Sequence, residues 1–193
     1  MHVHSRAWTG HVFVGASLDG FIARPDGDLG WLTDPPPEPT HAAVVSDLPV
    51  RGFDAFLAGI DHVVMGRGTY EKVLTFGFWP YAPRPVIVLS TALDTDDERI
   101  TIARSLDEAL RLLEQDSAAH VYVDGGQVIQ TFLRADLIDE IDVAWAPVLI
   151  GSGLPLFGAL GREVRLSLTA SSADEGGMVH ASYRVHRPAH MSR

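Results

Sequence analysis

The segment Val121-Tyr-Val-Asp-Gly-Gly-Gln-Val-Ile-Gln-Thr-Phe-Leu133 determines the fold of this chain. Three strand-forming residues open it, a glycine pair follows, and the apolar residues after the pair recur at the spacing of a helix. The segment therefore predicts a buried strand, a tight turn and the start of a helix. The residues expected on the buried stripe of that helix are Val128, Ile129, Phe132 and Leu133.

The glycine pair, Gly125 and Gly126, favours a binding role for this turn. Because glycine lacks a Cβ, the turn can take unusual dihedral angles and another molecule can approach its backbone closely. A helix N-terminus preceded by bare glycine amides binds anions, and the phosphate of a nucleotide is the natural ligand. The pair also fits a tight turn with no ligand, so the rest of the chain has to decide.

The composition excludes several classes of protein. The 193 residues are 46% hydrophobic, as in a single globular domain. No apolar run reaches the roughly 18 residues of a membrane span, and the polar residues 1–8 do not form a signal peptide. The chain has no cysteine, which excludes disulfides and thiolate metal sites and predicts a cytoplasmic protein. The net charge of -10 argues against nucleic acid as the main partner.

Strands and helices are predicted to alternate over most of the chain. This alternation predicts an α/β fold whose sheet is mainly parallel, with helices on both faces. The helix-free end, from about residue 139, predicts antiparallel final strands. Predicted strands cover 11–16, 61–65, 85–89, 99–103, 121–123, 138–150, 163–171 and 178–187; predicted helices lie within 41–60, over 70–74, from 105 to 115 and after the glycine pair.

The remaining local signals concern loops and helix ends. Residues 21–31 predict an irregular loop, and the proline-rich residues 33–40 predict an exposed excursion. Gly68 or Thr69 is the expected cap of the helix over 70–74. Ser105 and Glu108 have the spacing of a capping box.

Three strand ends carry residues suited to phosphate. Ligands of such sheets collect beyond the carboxyl ends of the strands. The three sites are Gly66-Arg-Gly-Thr69, Ser90-Thr91 and Gly125-Gly126. Three such turns at one edge are less expected by chance than one, so the sequence favours a nucleotide. The nine histidines are scattered without metal-ligand spacing on a helix, and no metal site is predicted.

Five segments in the same order resemble the dihydrofolate-reductase-like family. They resemble most closely the reductase domain of the bifunctional riboflavin-biosynthesis deaminase/reductase. The resemblance implies one domain over 1–193 with a core of about 11–187 and a three-layer fold. It also implies NADPH as cofactor, hydride transfer to a small heterocycle, and a homodimer. The segments are Ser17-Leu-Asp-Gly-Phe-Ile-Ala23, Val64-Met-Gly-Arg-Gly-Thr-Tyr-Glu71, Val86-Ile-Val-Leu-Ser-Thr91, Val123-Asp-Gly-Gly126 and Ala146-Pro-Val-Leu-Ile-Gly-Ser-Gly-Leu-Pro-Leu-Phe157.

The resemblance also implies where the cofactor binds. Residues 125–128 would face the pyrophosphate, and 66–69 would form a second phosphate turn. Arg67 would pair with the 2′-phosphate, because guanidinium binds phosphate bidentately. Ala16 and the loop 17–31 would cover the nicotinamide as a mobile lid. The implied cofactor-binding residues are Ala16, Gly66, Arg67, Gly68, Thr69, Ser90, Thr91, Gly125, Gly126, Gln127 and Val128.

A proton donor is needed as well, because hydride attack on C=N or C=O creates an anion. Asp19 ends the first strand and would lie near the nicotinamide, although it also fits a turn before glycine. In folate reductases the acid follows the lid tryptophan, which Trp31 matches. Asp34 is the carboxylate near it, but prolines replace the helix start. Asp19 and Asp34 are therefore the predicted catalytic residues, with Asp28 and Asp47 as further candidates.

The resulting functional prediction is an NADPH-dependent reductase of a pyrimidine-, pterin- or flavin-precursor-like heterocycle. It would resemble 5-amino-6-(5-phosphoribosylamino)uracil reductase. The deaminase half of the bifunctional enzyme needs zinc-binding cysteines, so the cysteine-free chain can match only the reductase half. The alternatives are a dinucleotide-binding homologue without catalysis and a dihydrofolate reductase.

Overall fold

The computed structural model describes residues 6–33 and 50–187, which contain ten strands and five helices. The strands are β1 (Thr9–Ser17), β2 (Phe21–Ala23), β3 (His62–Gly66), β4 (Val86–Leu89), β5 (Ile100–Ala103), β6 (His120–Asp124), β7 (Glu140–Ala146), β8 (Leu154–Pro155), β9 (Leu166–Ala173) and β10 (Val179–Val185). The helices are α1 (Gly30–Thr33), α2 (Phe53–Ala58), α3 (Arg67–Leu74), α4 (Leu106–Gln115) and α5 (Gly126–Arg134).

Eight of the strands form one sheet in the order β5-β4-β3-β6-β1-β7-β10-β9. The six from β5 to β7 are parallel. β10 runs antiparallel to both β7 and β9. The predicted sheet, mainly parallel with antiparallel final strands, is confirmed.

The helices cover both faces of this sheet and create two cores. On one face, Phe56 of α2 and Val73 of α3 pack in the first core. On the other face, Leu113 of α4 and Phe132 of α5 pack in the second. The three predicted layers are therefore present, and the dihydrofolate-reductase-like fold is confirmed.

The opening segment lies at the centre of the sheet. β6 pairs with β3 on one side and β1 on the other, so its residues are buried on both faces. Val121 and Val123 face the second core, whereas Tyr122 between them faces the first. This burial on both faces explains the continuous apolar run. The four residues of the predicted helical stripe are buried in α5.

Several predicted boundaries differ from the structure. Part of the predicted loop 21–31 is regular, because β2 pairs with β8 and α1 begins at residue 30. These elements are two to four residues long, too short to show hydrophobic periodicity. α3 begins at Arg67 rather than at 70, with Gly66 as its N-cap in place of Gly68 or Thr69. The strand predicted at 163–171 spans 166–173.

Some predictions lie partly outside the described residues. Of the helix predicted within 41–60, α2 accounts for 53–58, and the part up to residue 49 lies outside them. So do residues 34–40 of the proline-rich stretch. Within the described residues no helix is long and apolar enough to span a membrane. The cytoplasmic location stays a prediction.

Candidate functional site

The implied cofactor-binding residues meet at one edge of the sheet. Gly66 to Thr69 end β3 and start α3, Ser90 and Thr91 follow β4, and the glycine pair lies between β6 and α5. Ala16 is the penultimate residue of β1. Because these four strands are parallel, their carboxyl ends lie side by side.

Two of the turns touch each other at Gly125. This residue has a φ of +85°, which favours glycine. A Cβ built on it would lie 2.2 Å from Thr69 Oγ1, so the β3–α3 turn packs directly against the backbone of the β6–α5 turn. Gly125 is therefore required both by its dihedral angle and by this neighbour.

Gly126 is needed for a different reason from the one that the sequence suggested. A Cβ on Gly126 would lie 2.8 Å from Pro155 O and 3.1 Å from Ile22 Cδ1. The close approach at this glycine is thus made by the small β2–β8 sheet. The paired strands therefore pack against the start of α5.

The N-termini of α3 and α5 have no side-chain caps. In any α-helix the N–H groups of the first turn have no partner within the helix, so those of α3 and α5 depend on groups outside it. Two adjacent helix N-termini of this kind can bind the two phosphates of a dinucleotide.

The N-terminus of α4 shows the contrasting arrangement. Ser105 Oγ accepts a hydrogen bond from Glu108 N, as the capping-box spacing predicted. The returning bond differs, because Glu108 Oε2 accepts from Arg104 N rather than from Ser105 N. This helix end is satisfied by its own side chains, whereas those of α3 and α5 are not.

The contact between the two turns gives a stability prediction. We expect Gly125→Ala to destabilise the fold more than Gly27→Ala, which has a φ of +81° but nothing within 4 Å of an added Cβ. Both variants place an alanine in the left-handed region of backbone dihedral angles, which costs roughly 1–2 kcal/mol of folding free energy. Only Gly125→Ala also crowds Thr69, which costs roughly 1–2 kcal/mol more. Urea unfolding measures the difference.

A double variant checks the cause of that difference. Adding Thr69→Ala to Gly125→Ala should recover the extra loss, because it removes the crowded hydroxyl. Equal destabilisation by Gly125→Ala and Gly27→Ala would contradict the contact.

Arg67 and Ser90 follow neighbouring strands at this edge, β3 and β4. Arg67 is 52% exposed and forms a long pair of 3.5 Å with Glu71, which an anionic ligand can displace. Ser90 Oγ accepts hydrogen bonds from the N–H groups of Ala92 and Leu93 and shapes the turn after β4.

Arg104 is a residue that the sequence reasoning missed. Its Nη1 donates to Ser90 O and Leu93 O, 3.1 and 2.6 Å away, which places a second guanidinium beside the turn that carries Ser90. Nε and Nη2 of Arg104 form no hydrogen bond with the residues that the structure describes. A signal was available, because Arg104 directly follows a strand whose end reaches the same edge.

Asp19 occupies a well-defined structural position. Its Oδ1 accepts hydrogen bonds from Ser17 Oγ and Ile150 N, and its Oδ2 accepts one from Gly151 N. The bond from Ser17, together with those from the loop amides, lowers the pKa of Asp19. A carboxyl held ionised in this way is suited to anchoring the loop after β7 and poorly suited to donating a proton.

The neighbouring contacts fix the predicted lid as well. Leu18 N donates to Val148 O, Leu156 N donates to Gly20 O, and β2 pairs with β8. The part of the lid up to residue 23 is therefore tied to the loop after β7 and to β8. Among the other acid candidates, Asp28 pairs with Arg24 at 2.7 Å, while Asp34 and Asp47 lie outside the described residues.

Asp124 is a second residue that the sequence reasoning missed. It is the last residue of β6, directly before the glycine pair, and it is half-buried. Its Oδ2 accepts a hydrogen bond from Tyr81 Oη at 3.2 Å, and its Oδ1 accepts one from Gly125 N at 2.8 Å. Burial raises the pKa of Asp124, which favours the protonated form that a general acid needs.

A signal for Asp124 was present in the sequence. An acidic residue that ends a buried apolar strand and adjoins a glycine turn lies at the ligand edge of the sheet.

The raised pKa of Asp124 predicts a pH-dependent stability. The folded protein holds this proton more tightly than the unfolded chain, so ionisation destabilises the fold as the pH rises above the unfolded pKa of about 3.9. Asp124→Asn removes this effect. The melting temperature of the variant, relative to wild type, should rise between about pH 4 and pH 7. A difference that stays constant over this range would contradict the raised pKa.

The described ranges 6–33 and 50–187 contain no group of three or more His, Asp or Glu side chains that could hold a metal ion.

Comparison with known proteins shows a similar fold in proteins described as riboflavin-biosynthesis proteins. A proposed riboflavin biosynthesis protein from Shewanella sp. PV-4 has 33% sequence identity and a TM-score of 0.79, covering 93% of this chain and 99% of its own. The deaminase/5-amino-6-(5-phosphoribosylamino)uracil reductase of Thermotoga maritima is 15% identical, with a TM-score of 0.63. The match covers 92% of this chain and 56% of that protein, and it shows the fold.

Curated relatives carry no assigned activity. The uncharacterized protein YwjB of Bacillus subtilis (strain 168) is 33% identical over 162 residues, which is 81% of this chain and 87% of YwjB. The profile of the RibD C-terminal domain matches residues 9–180, which include every part of the edge described above. The chain therefore belongs to the RibD C-terminal domain family.

Proposed function

We propose that this protein is an NADPH-dependent reductase of a small heterocycle that carries a C=N or C=O bond. The family is a reductase domain of riboflavin biosynthesis, which supports oxidoreductase activity as the general class of function. One observation carries the proposal. Asp124, a carboxyl of raised pKa, ends β6, and the next residues start α5, whose uncapped N-terminus suits an anion.

The residues at the edge fit the parts of NADPH. The uncapped N-termini of α3 and α5 suit the pyrophosphate. Arg67 and Arg104, with Ser90 and Thr91 between them, suit a 2′-phosphate and favour NADPH over NADH. RibD reductase domains in general use NADPH, which supports the same choice. When bound, NADPH would supply the hydride.

Asp124 is the proton donor in this proposal. Its carboxyl is protonated more readily than that of Asp19, because burial raises the pKa of Asp124 and hydrogen bonds lower that of Asp19. Asp124 would give its proton to the substrate atom that becomes negative. Asp19 would hold the loop after β7, which closes the edge beside β1.

The proposed substrate class is that of the pyrimidine-based flavin precursors. The Thermotoga maritima protein is described as a 5-amino-6-(5-phosphoribosylamino)uracil reductase, and the corresponding oxidised ribosylamino compound is the first to test. The assay follows the loss of NADPH absorbance with this compound and, separately, with dihydrofolate. We expect oxidation with the flavin precursor.

Two other outcomes of this assay would contradict the proposal. Turnover of dihydrofolate alone would indicate a folate reductase. NADPH binding without oxidation by either compound would indicate a homologue that has lost catalysis. Asp124→Asn serves as the inactive control, and Asp28→Asn, which alters a carboxylate paired with Arg24, serves as the matched active control.

We also propose a homodimer built on the antiparallel end of the sheet. In the described ranges β9 pairs only with β10, so its outer edge is open to another strand. Leu166, Leu168 and Val179 are exposed on the same end at 40%, 58% and 45%. Sedimentation equilibrium should give twice the chain mass, and a monomer at high concentration would contradict this proposal.

A further inference from the structure

Tyr81 lies on the segment between α3 and β4, and its side chain is directed at Asp124. The residue is only 4% exposed, and its hydroxyl donates to Asp124 Oδ2 at 3.2 Å. This is the only hydrogen bond of the hydroxyl in the described part of the chain. The ring is fixed by Trp79, which meets it edge-on with centroids 5.5 Å apart.

The hydroxyl of Tyr81 has no function in packing. Phenylalanine would fill nearly the same volume, and the first core already uses Phe56. Burying a hydroxyl costs free energy unless it is hydrogen-bonded, and the partner here is a carboxyl rather than a backbone group. Tyr122 shows the alternative, because its hydroxyl donates to the backbone oxygen of Phe13 at 2.9 Å.

We propose that Tyr81 is a positioning residue for Asp124, which holds the carboxyl in one orientation and stabilises the carboxylate left after proton donation. The inference rests on the proposed function, in which Asp124 is the acid. In that step the O–H bond of the Asp124 carboxyl breaks and its electron pair stays on the carboxyl oxygen. The proton goes to the substrate atom that has gained negative charge. Tyr81 Oη donates to Asp124 throughout, and this bond strengthens as the carboxylate forms.

Few polar groups face Asp124, which makes the effect of Tyr81 measurable. The segment before β4 contributes the Tyr81 hydroxyl, and the turn before α5 contributes Gly125 N. The hydroxyl of Tyr122 lies nearby but donates to Phe13 O. Among the described residues no charged side chain affects the pKa of Asp124. Removal of the Tyr81 hydroxyl therefore removes one of the two hydrogen bonds to the Asp124 carboxyl without changing any nearby charge.

The test is a carbon-13 NMR titration of the Asp124 carboxyl in the full chain, without cofactor or substrate. Tyr81→Phe should raise the pKa of Asp124 by about one unit, because a hydrogen bond to a charged group is worth roughly that much. Tyr70→Phe is the matched control. Its hydroxyl is bonded to Asp97 Oδ2 at 2.8 Å, so this variant should leave the Asp124 titration unchanged.

A second modification covers the case in which Tyr81→Phe does not fold. Incorporation of 3-fluorotyrosine at position 81 makes the hydroxyl a stronger donor and should lower the pKa of Asp124. An unchanged Asp124 titration in either protein would overturn the inference. The titration needs no turnover, so it can fail while NADPH oxidation is observed, and it can succeed while the proposed reductase activity is absent.

Kinetics separate a positioning role from a merely structural one. In an active preparation, Tyr81→Phe should move the descending limb of the kcat–pH profile to higher pH. The expected shift is about one pH unit, equal to the shift of the Asp124 pKa in the titration. It should lower kcat while leaving KM for NADPH within about twofold. A lower kcat with an unshifted profile would contradict the role of Tyr81 in setting the acidity of Asp124.

Discussion

Asp124→Asn is expected to lower the turnover of NADPH oxidation by roughly 10²–10⁴-fold, the usual contribution of a general acid. The amide cannot donate a carboxyl proton, but it can keep the bonds with Tyr81 and Gly125 if the tyrosine hydroxyl reorients. NADPH affinity should therefore stay within about twofold of wild type. Steady-state kinetics and an NADPH titration of the same preparation measure the two quantities.

The controls for this variant separate Asp124 from the other carboxylates. Asp28→Asn should retain full activity. Asp19→Asn weakens the loop after β7, so a moderate loss with a lower melting temperature is expected from it. If Asp19→Asn abolished turnover at unchanged stability while Asp124→Asn remained active, Asp19 would be the proton donor.

The Arg67→Ala/Arg104→Ala double variant is expected to lose its preference for NADPH over NADH. A hydrogen bond to a charged group contributes about 1.5–3 kcal/mol, so each arginine is worth roughly 10–100-fold in NADPH affinity. NADH lacks the 2′-phosphate, and its affinity should change by less than about threefold. Competition titrations with both dinucleotides give the ratio.

Arg165→Ala is the matched control for these arginines, because its side chain is 81% exposed and pairs with Glu163, next to β9 rather than at the ligand edge. It should leave both affinities unchanged. A double variant that retained the wild-type preference for NADPH over NADH would contradict the proposal that Arg67 and Arg104 bind the 2′-phosphate.

The sequence predicted the part of the fold that rests on strong periodicity. Segment 121–133 shows both a strand and a helix stripe, and both are present because β6 is central and α5 packs against it. Sheet order and the β2–β8 pairing could not be predicted from local pattern. They depend on contacts between residues far apart in the chain, such as Gly126 with Pro155.

Site residues whose role depends on backbone geometry could be predicted from the sequence. Those whose role depends on the surrounding side chains were harder to predict. Gly125 was found because its residue type alone indicates a special dihedral angle. Asp19 and Asp124 look alike in sequence, yet hydrogen bonds hold Asp19 ionised while burial raises the pKa of Asp124. Arg104 was missed because its proximity to Ser90 depends on β4 and β5 being neighbours.

Isothermal titration of the full chain with NADPH tests the central claim most directly. We predict saturable binding of one NADPH per chain with a micromolar Kd, in the usual range for enzyme ligands. Gly27→Ala should bind equally well, whereas Gly125→Ala should bind much more weakly. Absence of saturable binding at about 1 mM NADPH, or equal binding by both glycine variants, would contradict a cofactor site at the start of α5.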